Sequence, residues 1–160
     1  MLTDRLPIYQ STFELTKYVY TCSKRFERLA RIMVGEKMVR VSLDMLDCIL
    51  NANSEFSEER ITHLNRFKVL VEQLKTLCRF CLEMKITNNK QSAQLALLLG
   101  NVGKQLTGWR KSTIDKMANR TSAEIEEEKK MIDMTYDEFV KSMDGLIEKA
   151  NDVIIRDINT

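Results

Sequence analysis

Apolar residues recur at steps of three and four along most of this chain, the spacing of a helix face turned toward other helices. Leu15, Val19, Cys22, Phe26, Leu29 and Met33 form the first stripe, and Pro7 ahead of it suits the first turn of a helix. Gly35 offers a turn or a helix start. Val39, Ser42 or Leu43, Leu46 and Ile49 or Leu50 make the second stripe, with Met38 and Met45 as flexible filler. Residues 51–57 read as a connection, and Ser57 before Glu58 and Glu59 suits the start of a third helix. Leu64, Phe67, Val71, Leu74, Cys78 and Cys81 continue it, and it should stop within residues 85–88. Asn88 and Gln91 then have the spacing of a capping box, and Leu95, Leu99, Val102, Leu106 and Trp109 follow. Four amphipathic helices with short connections predict an all-α fold, an antiparallel up-and-down four-helix bundle over residues 1–112.

The fourth helix carries Gly100, Gly103 and Gly108, each costing about 1 kcal/mol relative to alanine in a helix interior. Close approach by another backbone is the simplest reason for them; a kink or an early end is the rival. Trp109 ends the stripe beside Arg110 and Lys111, as an anchor at a bundle end or a subunit contact. Beyond this point the pattern changes. Thr121 and Glu124 repeat the capping-box spacing, and Ile125, Ile132, Phe139, Leu146 and Val153 lie seven apart. Tyr136, Met143 and Ala150 fall between them, although the first such slot is charged and Gly145 weakens the run. The pattern predicts an additional long C-terminal helix in residues 113–160. It is too apolar along that line to stand alone, so it should pack on the bundle or between subunits.

Charge divides the chain at nearly the same place. Residues 1–120 carry 20 Lys/Arg against 12 Asp/Glu, an excess of +8, and residues 121–160 carry 5 against 11, or −6. A basic body with an acidic tail suits a polyanionic partner, or a tail that folds back on the body. Lys17, Lys24, Arg28 and Arg31 fall opposite the first apolar stripe, either as a solvated surface or as a positive ridge. Lys68, Lys75 and Arg79 flank the third stripe and can extend a basic patch.

Chemical motifs are scarce. Cys78 and Cys81 form a CxxC within a helical stripe, away from the helix N-terminus that would lower a thiolate pKa. With Cys22 and Cys48 they read first as small buried apolar groups, then as a zinc set or a redox pair. His63 is the single histidine, and Asp44 and Asp47 suit surface salt bridges or a basic ligand. No phosphate loop, dinucleotide loop, zincin motif or nucleophile elbow occurs. The chain is therefore expected to be no enzyme and to need no metal or cofactor. Its polar start and the lack of a membrane-length apolar run predict a cytoplasmic location with reduced thiols.

Three stretches carry a resemblance. They are PIYQSTFELTKYVYTCSKRFERL at 7–29, RVSLDMLDCI at 40–49 and LGNVGKQLTGWRKS at 99–112. Together they resemble the accessory variability proteins of diversity-generating retroelements. These belong to a broader group of small four-helix bundle proteins that includes those encoded within 23S ribosomal RNA intervening sequences. The most specific pieces are Ile8-Tyr9 and the run from Gly103 to Lys111, and the likeness covers residues 6–112.

The resemblance implies a homo-oligomer, a pentameric barrel-like ring with a positive surface. It also implies association with the element's reverse transcriptase and with structured RNA or an RNA/DNA hybrid, in support of mutagenic copying. The polymerase does the chemistry. Lys17, Lys24, Arg25, Arg28, Arg31, Lys37 and Arg40 would then face partners, and Gly100, Gly103, Gly108 and Trp109 would serve packing or subunit contact. The acidic extension lies outside the likeness and would cover the basic face, add an oligomer contact or dock the polymerase. The alternative is an oligomeric scaffold or protein adaptor without nucleic-acid binding.

Overall fold

The computed structural model describes the backbone of residues 3–158 and, except at positions 57, 128, 135 and 150–158, their side chains. Among the described residues there is no strand. After a 3-10 turn at Thr3–Arg5, helix α1 spans Pro7–Lys24 with its proline in the first turn. Helix α2 covers 28–54 and joins Arg28–Ala30, a π turn at Arg31–Gly35 and Glu36–Ser54. Helix α3 is Ser57–Glu83 and helix α4 is Asn89–Ile158. The chain divides into two compact units, residues 1–117 and 118–160.

Cross-helix bonds show the antiparallel order. Asn53 Nδ2 donates to Thr3 Oγ1 at 3.0 Å while Thr16 Oγ1 donates to the Ser42 carbonyl at 3.3 Å, so α1 and α2 run oppositely. Met38 Sδ lies 3.6 Å from Cys81 Sγ, and Arg60 Nε donates to the Ala52 carbonyl at 2.8 Å, which reverses α3 against α2. Arg110 Nε donates to Asn65 Oδ1 at 2.8 Å across α4 and α3. Gln105 Nε2 donates to Ser11 Oγ at 2.7 Å and closes the ring between α4 and α1.

The core follows the stripes. Leu15, Val19, Leu64, Phe67, Leu74, Leu95 and Val102 are fully buried. In the second stripe burial selects Ser42 over Leu43 and Ile49 over Leu50. Met38 and Met45 are completely enclosed and fill the core beside that stripe.

The first helix is shorter than its apolar stripe predicts. It ends at Lys24, with Arg25 and Phe26 donating their N–H groups to the Cys22 and Ser23 carbonyls at 3.0 and 3.2 Å. Phe26 plugs the turn from inside, while Leu29 and Met33 are 69% and 66% exposed. Gly35 is the buried last residue of the π turn and directly precedes the α-helical stretch from Glu36. A Cβ there would lie 3.1 Å from Ser23 Cβ and 3.3 Å from Phe26 Cδ2, so glycine lets α2 pass against the turn.

The third helix ends at Glu83, just ahead of the stop expected at 85–88, and the fourth starts where its capping box directs but runs on past residue 111. α3 begins at Ser57, although Phe56 takes the N-cap position, and the Ser57 side chain is outside the described set. Asn88 and Gln91 form the reciprocal capping box, Gln91 N–H to Asn88 Oδ1 at 2.8 Å and Asn88 N–H to Gln91 Oε1 at 3.0 Å. The additional C-terminal helix has no start of its own, since helical bonding runs from Asn89 to Ile158. Thr121 therefore lies inside a helix rather than at a helix start. Ala150 and Val153 of the heptad pattern fall outside the described side chains.

Candidate functional site

The seven basic residues expected to face partners are all exposed, but they do not share one helix. Lys17 and Lys24 stand on α1, Arg25 caps its C-terminus, and Arg28 and Arg31 open α2. Lys37 and Arg40 follow the π turn. Lys17 Nζ pairs with Glu14 Oε1 at 2.6 Å and lies 5.5 Å from the Phe13 ring centroid. Lys24 Nζ lies 5.0 Å over Tyr20. Phe13 stacks on Tyr9 with centroids 6.1 Å apart, and Phe13 and Tyr20 remain 45% and 53% exposed. Outside the core stripe, α1 thus presents aromatic faces beside lysines, a surface suited to bases and phosphates together. The aromatic part was legible at spacings of four from Tyr9 to Phe13 and from Tyr20 to Lys24.

A second basic surface lies between α3 and α4. Lys68 and Lys75 on one side and Lys104, Arg110 and Lys111 on the other border a groove of about 640 Å³. Val71, Leu99 and Leu106 form part of its lining, and Glu72 is the one carboxylate among the lining residues. That carboxylate is engaged by Lys75 at 2.8 Å. An exposed pair of this kind is worth only about 0.2–1 kcal/mol, so a phosphate can compete for the lysine. Arg110 is held by Asn65, and a neighbouring groove that includes Lys37 shares both Lys68 and Arg110. The structure thus brings Lys37 to the α3–α4 cations.

The glycines acquire a different explanation within this unit. A Cβ built on Gly100, Gly103 or Gly108 would meet nothing within 4 Å, so no backbone of this chain packs against them. Gly100 and Gly103 instead line the groove, where the missing side chains leave room beneath the cations. α4 neither ends nor breaks at them. Trp109 is half-buried and packs against the edge of the core, with Thr113 Oγ1 donating to its carbonyl at 2.9 Å.

The thiols sit where burial keeps them protonated. Burial, reinforced by Cys81 and Cys22, pushes Cys78 up to about 12, and burial with Cys22 nearby pushes Cys81 up to about 11. Cys22 and Cys48 are raised as well, also chiefly by burial. Protonated buried thiols are poor nucleophiles and poor ligands. Among the described residues, no three His, Cys, Asp or Glu side chains gather to hold a metal. Asp44 and Asp47 both lie near Cys48 and raise its pKa further, with Arg66 opposing them. No helix among the described residues is long and apolar enough to cross a membrane.

A family model described as bAvd-like matches residues 6–113. The chain belongs to that family. bAvd is the Bordetella accessory variability determinant protein, and the match is consistent with an accessory variability protein of a diversity-generating retroelement. The matched bAvd-like region contains α1 to α3 and α4 as far as the groove, and it stops short of the acidic extension. No curated protein sequence matches the chain significantly.

Proposed function

We propose that this chain is a non-enzymatic accessory protein of a diversity-generating retroelement, binding its reverse transcriptase and template RNA during mutagenic copying. The observation that carries the binding reading is the α3–α4 groove, where five cations face a channel lined by Gly100 and Gly103. Phosphates bind such a surface through charge and shape, with affinity that falls as rising salt makes the release of condensed counterions less favourable. Lys17, Lys24, Arg25, Arg28, Arg31 and Arg40 supply a second partner-facing set around the α1–α2 turn, and Lys37 links that set to the groove. The protein acts in the cytoplasm as a homo-oligomer, the pentameric ring that the sequence resemblance implies. Structured RNA and the RNA/DNA hybrid of the copying reaction are its nucleic-acid partners.

Co-purification tests this directly. The tagged full chain, expressed with the reverse transcriptase and template RNA of its element, retains both at low salt and loses the RNA as salt rises. Retention of the polymerase without RNA at any salt would reduce the protein to an adaptor. Retention of neither would overturn the proposal.

A further inference from the structure

We infer that residues 118–150 of α4 form a self-association helix that packs in parallel, in register, against the same segment of other copies of this chain. The first observation is exposure. Among the described side chains from 118 to 149 none is buried, although Ile125, Ile132, Tyr136, Phe139, Met143 and Leu146 are large and apolar. A helix with such a stripe gains its stability from packing that stripe.

Spacing identifies the occupant as a like helix. With Ile125, Ile132, Phe139 and Leu146 at d positions, Tyr136 and Met143 fall at a, the repeat that lets identical helices mesh layer by layer. Val140 and Ile147 add e positions in the second half, widening the stripe beyond a two-stranded seam toward a helix with neighbours on both sides. The eight side chains, 38–67% exposed, offer on the order of 800 Å² of apolar surface, the share one partner contributes to a standard stable interface.

The stripe is also unequal along its length, and this sets direction. In the first half the e positions are Glu126 and Asp133, and Lys129 is the one charge on the a/d line from 125 to 146. An antiparallel partner would lay the wide apolar half against those acids. A parallel partner matches wide half to wide half and puts Lys129 of one copy among the Glu126 and Asp133 side chains of its neighbour. The remaining acids of the second half, Asp137, Glu138, Asp144 and Glu148, fall at b, c and f positions, away from the seam. The matched family region ends at 113, so this device is additional to the bundle that the family shares.

Position-specific disulfide formation tests the inference on the full chain. Met143→Cys places a thiol on the stripe, and Asp144→Cys places one on the outer side of the same turn. Under mild oxidation and on a non-reducing gel, Met143→Cys should form covalent pairs at least ten times faster than Asp144→Cys. The parent chain, with three buried thiols and one half-buried, sets the background. A bundle that gathers copies by itself would not create this contrast between adjacent positions. Equal rates at the two positions, or no pairs from Met143→Cys, would overturn the inference.

Discussion

Lys85 holds its backbone at φ 56° to let α3 stop. The left-handed conformation allows the Ile86 N–H to reach the Cys81 carbonyl at 2.8 Å and the Lys85 N–H to reach that of Leu82 at 3.1 Å. This is a Schellman motif built on a residue with a Cβ, which costs about 1–2 kcal/mol that glycine avoids. Lys85→Gly should raise stability by about 1 kcal/mol, read as a higher urea midpoint with an unchanged slope. The buried thiols make a second expectation at this scale. Cys78 and Cys81 titrate at about 12 and 11 when folded, against an ordinary value of 9.0. Between those values the unfolded chain has lost protons that the folded chain retains, so stability falls as pH rises. Urea midpoints should be insensitive to these thiols below pH 9 and should decline from pH 9 toward 11–12. The decline should be shallower in Cys78→Ala.

Among the elements, what could be read in advance depended on whether a boundary announced itself chemically. The 88–91 capping box did so, because an amide side chain can close orphan N–H groups only at fixed spacing. The α1–α2 turn did not. Residues 25–27 contain neither glycine nor proline, and Leu29 and Met33 continue the apolar count across a break that only the buried Phe26 reveals. Thr121 misled for the opposite reason. Its spacing to Glu124 suits a cap, yet residues 112–120 hold no glycine or proline to end the helix before it. Glycine spacing was ambiguous in the same way, since the sequence alone cannot separate the tightly packed Gly35 from the open Gly103. Alanine separates them. Gly35→Ala should destabilise by about 1 kcal/mol, the clash with Ser23 and Phe26 outweighing the gain in helix propensity. Gly103→Ala, with open space at its Cβ, should stabilise by about 0.5–1 kcal/mol in thermal denaturation.

At the scale of the molecule, the chain separates charge along its length, and the candidate site depends on that separation. The count gave a basic body and an acidic tail, but placed the strongest ridge on one helix. Folding divided that ridge at the 25–27 turn and assembled a groove from residues within 68–114, which no local spacing could show because its two walls are remote in sequence. Salt should separate the two proposed associations. Apolar packing of acid-faced helices holds or strengthens as salt screens their repulsion, whereas phosphate binding weakens. The most direct measurement is therefore a salt titration of RNA affinity for the wild-type chain and for Lys68→Gln/Lys104→Gln. The plot of log affinity against log salt should fall linearly for the wild type, and its slope should shrink by about 1 for each lysine removed. An unchanged slope in the double variant, with the protein still folded, would contradict the groove as the RNA-binding surface.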